Sequence, residues 1–163
     1  VLVSAVVEAL RAPVLLGATI AAGLQAGTYY TWACAVMPGL ARVDDRAFVT
    51  AMQQMNTAIV NPVFMLTFLG APALAALAGA TSTSTARTWV IAGLAFAVTT
   101  VVVTAVGDIP LNHALEAAGP VDTIPDLAAV RAGFEDSWVR WNLLRAVTST
   151  ASLASLAWAS WRS

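Results

Sequence analysis

The sequence contains no lysine, one cysteine and one histidine, and charged residues make up only 10% of it. Its eight basic residues are all arginines, placed singly. With a net charge of −1 and no basic run, the chain lacks the electrostatic footprint of a nucleic-acid-binding protein, and no nucleic-acid partner is expected. A single cysteine, Cys34, excludes an intramolecular disulfide and cannot alone form a thiolate metal site, so it is expected to be a packing residue. Nor is there a nucleophile elbow: Ser, His and Asp are all present, but without the context of a hydrolase triad.

What the chain has in excess is apolar surface. Hydrophobic residues make up 59% of it and the mean hydropathy is +0.77, far above a soluble domain of this length. Windows 12–36, 62–80 and 88–106 are nearly free of charge and long enough to cross a hydrocarbon core of about 30 Å as helices. A fourth, 143–161, carries Arg145 as its only charge, close to one end. The reading is an all-α, multi-pass integral membrane protein: one transmembrane domain over 1–163, built as a four-helix bundle in the lipid bilayer. The first apolar run exceeds a signal-peptide core and has no basic prefix, so it is expected to be a retained span.

Along the chain, Pro13 suits the first turn of span one, and Gly23 and Gly27 make a small-xxx-small step suited to close helix packing, within the chain or in a homo-oligomer. Gln25 between them should face the bundle or a cavity, as an interhelical hydrogen bond or a ligand contact. Met37-Pro38-Gly39-Leu40 is expected to break the helix. Asp44 and Asp45 are candidate N-caps for a segment with Phe48, Met52, Met55 and Ile59 on one face, followed by Asn61-Pro62. Residues 79–85 read as a tight polar turn, and Arg87 and Trp89 as interfacial residues opening span three. That span should stop at Gly107, with Asp108 capping a short helix that ends at Gly119-Pro120. Thr123 to Asp126 has capping-box spacing and opens a further helix. Two hairpins result, each with a structured polar connection on the same membrane side and without a convincing internal repeat. A plain arginine count puts those connections inside; the acidic neighbours of the same arginines shift the balance towards outside.

Polar residues concentrate where these connections meet the spans. Trp138, Asn142 and Arg145 fall at i, i+4 and i+7 and share a helix face, with Trp141 beside them. Packing of the hairpins brings that face towards Asn56, Asn61, Asp108 and Asn112. A buried arginine needs a partner, and Asp108 is the best available. Two outcomes are open: a structural lock at the interface, or the wall of a pocket for a lipophilic ligand entering from the membrane. His113 is the natural residue for proton transfer near neutral pH. No metal or other cofactor is expected; His113 and Glu116, with Asp108 as a third, are the set that would hold a metal ion in an alternative reading.

Met37-Pro38-Gly39-Leu40, Met52-Gln53-Gln54-Met55-Asn56, Asn61-Pro62, Ile109-Pro110-Leu111-Asn112 and the Trp138, Trp141, Asn142, Arg145 set together resemble the anthrone oxygenase-like family of small membrane proteins. The resemblance runs through nearly the whole chain in order. It implies a four-helix membrane bundle and, for the few members with an assigned role, oxidation of an anthrone to an anthraquinone with O2. Asp108 stands where an Asn often precedes the Ile-Pro-Leu-Asn motif, and Leu143 where a His often follows Trp-Asn. Under this resemblance His113 or Asp108 would be the base, Arg145 with Asn112 and Asn142 would stabilise the enolate-like oxygen, and Trp138 and Trp141 would hold a flat ring system, with Asn56 and Asn61 nearby. Because Asp108 cannot be both free base and tight partner of Arg145, His113 is the preferred base. The partners implied are a lipophilic aromatic or phenolic molecule and O2. The alternative is a non-catalytic membrane protein that binds a hydrophobic ligand or serves as an accessory subunit.

Overall fold

The computed structural model describes the backbone of residues 2–82 and 84–162, and side chains over 9–82 and 86–162. The side chain of Glu8, and Thr83 in the expected polar turn, lie outside the described residues. The fold is an all-α bundle. Its helices are α1 (Leu2–Thr31), α2 (Met37–Leu40), α3 (Asp45–Ala58), α4 (Pro62–Thr81), α5 (Ser84–Val103), α6 (Ile109–Ala117) and α7 (Leu127–Arg162). Local chemistry sets the starts of three of them. Asp44 accepts from Ala47 N at 2.8 Å, Asn61 from Phe64 N at 3.0 Å, and Asp126 from Ala129 N at 2.9 Å, each satisfying an orphan amide of a first turn. The cap of α7 is thus Asp126; Thr123 lies in a short 3-10 turn before it. Pro13 lies inside α1, because that helix starts well before it.

Two expected breaks are absent. Met37-Pro38-Gly39-Leu40 continues the helical path of α1, and Gly107 does not end α5. In both places the chain widens into a π-helical turn, Trp32–Val36 and Thr104–Asp108, just ahead of Pro38 and Pro110. Met37 N–H reaches back to Trp32 O, and Ile109 N–H to Thr104 O. The extra residue of a π turn lets the helix accommodate a proline that has no N–H to give. Asp108 is therefore helical, with no capping bond, and its side chain is available for the bundle interior. Cys34, on the first π turn, is exposed instead of packed.

The long helices pack in a ring: α7 lies against α1 and α5, and α4 closes the other side against α1 and α5. One core joins Leu15, Ala18 and Ala22 of α1, Ala75 and Ala78 of α4, Val90 of α5, and Leu156 and Ala159 of α7. A second, at the end bearing the long connections, joins Phe48, Val49 and Met52 of α3 to Met37, Leu115, Phe134 and Trp138. The face expected on α3 is thus the buried one. Gln53 Nε2 ties the two connections together by donating to Leu115 O and Gly119 O, both at 3.0 Å. Arg131 adds a second tie. Its Nε donates to Glu135 at 2.6 Å and its Nη1 to Asp45 at 3.1 Å, and these carboxylates, Glu135 first, hold its pKa above the ordinary arginine value.

Three helical stretches among the described residues are long and apolar enough to cross a membrane: Ala9–Leu40, Pro62–Thr81 and Ala86–Ala117. Each is wrapped in outward-facing apolar side chains such as Leu16, Ile20, Leu66 and Ile91, a surface suited to lipid. Window 143–161 lies within α7 and is not among the three; buried Arg145, Thr148, Ser149, Ser152 and Ser155 lower its hydropathy. These hydroxyls return hydrogen bonds to helix carbonyls, as Ser149 does to Arg145 O at 2.6 Å.

Close helix approach occurs away from the expected glycines. A Cβ on Gly27 would meet open space, and one on Gly23 would make an ordinary 3.6 Å contact with Leu153. At Gly93, by contrast, it would fall 2.7 Å from Leu156 Cγ, where Ser152 Oγ donates to Gly93 O at 2.8 Å. Gly93→Ala is accordingly expected to destabilise by about 1–3 kcal/mol through overpacking of α5 on α7. Gly27→Ala, with open space for its Cβ inside a helix, should not destabilise and is expected to add up to about 1 kcal/mol through helix propensity. Equilibrium unfolding of both variants in detergent checks the contrast.

Candidate functional site

Trp138, Asn142 and Arg145 share the inner face of α7, and their exposures are 3%, 1% and 7%. Helical spacing alone puts them in one row; the π turns bring the partners. Asp108, at the end of the second π turn, is 1% exposed, and its Oδ1 lies 2.8 Å from Arg145 Nη2. That approach is close but poorly aligned for a hydrogen bond, so the contact is mainly coulombic. Arg145 Nη2 also donates to Asn142 Oδ1 at 3.1 Å. The guanidinium sits over the Tyr29 ring at 4.6 Å and over the Trp138 ring at 5.2 Å, so one cation is held between two aromatic faces.

This assembly forms part of the wall of a cavity of about 230 Å³. Five of the expected residues meet there: Asn56 from α3, Asp108, Asn112 from α6, and Trp138 and Arg145 from α7. Asn112 Oδ1 accepts from Trp138 Nε1 at 3.0 Å, which orients the indole. Trp32 packs on Trp138 with ring centroids 5.0 Å apart, and Phe64 stacks on Phe68 at 5.6 Å. Met55, Ile59, Val60 and Met65 complete an apolar side. The polar side has unspent capacity: Asn56 Nδ2, Arg145 Nε and Asp108 Oδ2 are buried and have no hydrogen-bond partner in the protein. Aromatic walls with a few convergent polar atoms are the arrangement of a small-molecule site.

The other expected residues lie elsewhere. Asn61 is the N-cap of α4 and also donates to Ala58 O at 2.9 Å, so its side chain is consumed locally. Trp141 sits off the cavity, one face round from Trp138; a Cβ on Gly107 would fall within its ring, so the pair is a close-packed contact of α7 on the second π turn. Asn142 is buried behind Arg145. His113 is exposed on α6 and does not line the cavity. Glu116 is exposed too, while Asp108 is buried, so the three do not converge. Among the described residues no group of three or more His, Cys, Asp or Glu is placed to hold a metal ion. Leu143 is 55% exposed and lines an outer groove with Tyr30 and Cys34, facing away from the cavity.

Sequence reasoning missed Tyr29, Trp32, Phe64 and Phe68 as wall residues. In apolar spans an aromatic carries no signal that separates a cavity wall from a lipid-facing position. Gln25 is the exception that was available: it accepts from Tyr29 Oη at 2.7 Å and donates to Thr67 Oγ1 at 2.8 Å, the interhelical outcome of the two expected for it.

The family model described as anthrone oxygenase matches residues 48–155 of the chain. No curated protein and no solved structure matches it.

Proposed function

The chain belongs to the anthrone oxygenase family, and from that premise we propose that it is a four-span, single-domain membrane oxidoreductase that oxidises a lipophilic aromatic or phenolic molecule with O2 in the cavity beside Arg145. The observation that carries this reading is the buried Asp108–Arg145 pair set in an aromatic wall, with Asn56 Nδ2, Arg145 Nε and Asp108 Oδ2 unpartnered. Window 143–161 of α7 is the fourth span. Its packing along α1 and α5, its internally bonded hydroxyls, and outward Leu143, Leu144 and Val147 support that assignment.

For an anthrone the chemistry runs as follows. Asp108 Oδ2 removes a proton from the methylene carbon between the rings, and the electron pair delocalises onto the ketone oxygen. Arg145 Nε and Asn56 Nδ2 donate to that oxygen as its charge grows. The substrate anion supplies electrons to O2, a carbon–oxygen bond forms, the peroxide anion takes back the proton held on Asp108, and the resulting hydroperoxide loses water to leave a second carbonyl. One anthrone and one O2 become one anthraquinone and one water. The exposure of His113 favours Asp108 as the base. Its two oxygens divide the tasks, with Oδ1 facing Arg145 and Oδ2 left for the substrate. The departure at Leu143 leaves the cavity intact, since that side chain points outward.

The same ion pair also favours a second reading, in which Asp108 is spent on Arg145 and the cavity binds a hydrophobic ligand without turning it over. Oxygen uptake by the purified protein with a panel of anthrones and related phenols separates the two. The oxygenase reading expects uptake matched by quinone formation in a 1:1 ratio; binding without uptake supports the second.

A further inference from the structure

Asn142 has no place on the cavity wall, yet its amide is used at both ends. Oδ1 accepts from Arg145 Nη2 at 3.1 Å, and Nδ2 donates to the carbonyl of Tyr29 at 3.2 Å. The two partners fix which way the amide points, because a guanidinium only donates and a carbonyl only accepts. A carboxylate there would set an acceptor against the Tyr29 carbonyl, and an aliphatic side chain would serve neither partner. Tyr29 lies in the last turn of α1 before the first π turn, and its ring is one of the two that hold the guanidinium. One amide therefore binds the arginine and the backbone of the residue that the arginine rests on.

We propose that Asn142 is a positioning residue that acts through Arg145. With Nη2 held by a hydrogen bond to Asn142 Oδ1 and by the charge of Asp108 Oδ1, rotation of the guanidinium about its stem is restrained, and Nε is a fully buried donor without a protein partner. Loss of the amide frees that rotation and misaligns Nε with the oxygen of a bound ligand. The inference rests on the reading that the cavity takes a lipophilic aromatic ketone.

The test uses the full chain in lipid nanodiscs without oxygen and two probes with the same tricyclic carbon skeleton, anthrone and 9,10-dihydroanthracene, which lacks the carbonyl; each variant is compared with wild type for the same probe. Asn142→Ala is expected to weaken anthrone binding about tenfold, the scale of one hydrogen bond to a charged group, and to change dihydroanthracene binding less than about twofold. Equal weakening of both probes, or of neither, overturns the proposal, since a general packing role does not distinguish them. The Arg145 Nε–Hε nuclear magnetic resonance signal provides a readout without ligand. Held between the Tyr29 and Trp138 rings, it should shift in Asn142→Ala, and an unmoved signal overturns the proposal. Should wild type bind neither probe, the cavity reading fails on its own, while the Arg145 signal still decides whether Asn142 positions the guanidinium. Asn142→Ser, too short to span both partners, takes the same measurements if the alanine variant does not fold.

Discussion

Arg145→Ala is expected to destabilise the protein by about 3–5 kcal/mol, the range for removing one partner of a buried ion pair. Three losses act together. Asp108, 1% exposed, is left as an uncompensated buried carboxylate. The space between the Tyr29 and Trp138 rings is emptied of the cation that fills it. Asn142 Oδ1 loses its donor. The first of these dominates, because burial of an unpaired charge exceeds what a cavity or a neutral hydrogen bond is worth. A second substitution makes the attribution testable: Asp108→Asn added to Arg145→Ala should recover more than half of the lost stability, a coupling expected only of groups in direct contact. Equilibrium unfolding in detergent micelles measures both. Arg145→Ala with wild-type stability would contradict the ion pair as the lock of this end of the bundle.

Asp108→Asn alone is expected to reduce oxygen uptake with an anthrone by at least about 100-fold, the lower end of the range for loss of a general base. Asparagine keeps the size and one acceptor oxygen but cannot take the methylene proton. Ligand affinity should change far less, since Arg145 Nε and Asn56 Nδ2 still face the ketone. Turnover is therefore normalised to the fraction of protein that binds anthrone, which separates a chemical loss from a folding loss. His113→Ala serves as the contrast: an exposed residue off the cavity should leave uptake unchanged. The reverse pattern, with His113→Ala inactive and Asp108→Asn active, would return the base to His113.

How much of this was legible in the sequence depended on the kind of signal each residue carries. Arg145 and Asp108 were readable as a pair because charge inside an apolar run demands a partner, and so few charges were available to provide one. The shared face of Trp138, Asn142 and Arg145 followed from helical period, and α7 has no break to disturb it. The two π turns had no comparable signal. Each inserts one residue into the helical winding and so turns every later side chain by about 100° relative to an uninterrupted helix. The widened turn is why a break expected at Pro38 became a continuous path, and a helix that runs on through Asp108 is why that residue lies buried in the bundle instead of capping a helix. His113 follows the second π turn, so its exposure was likewise beyond the reach of spacing. Asn61 was misplaced for a different reason: an Asn-Pro step is equally suited to a site and to an N-cap, and the cap requires no partner from another helix. The same limit holds for glycine. Gly23 and Gly27 have the spacing of a packing motif, but Gly93 and Gly107 have the neighbours.

The central claim, that the ligand occupies the cavity walled by Arg145, Trp138 and the Phe64–Phe68 stack, is tested most directly by photolabelling with a light-activated anthrone analogue followed by peptide mapping. Label on the first turns of α4, at Phe64, Met65 or Phe68, and on the Trp138 segment of α7, competed away by excess anthrone, is the predicted result. Label confined to Tyr30, Cys34, Leu143 and Val147 in the outer groove between α1 and α7 would contradict it.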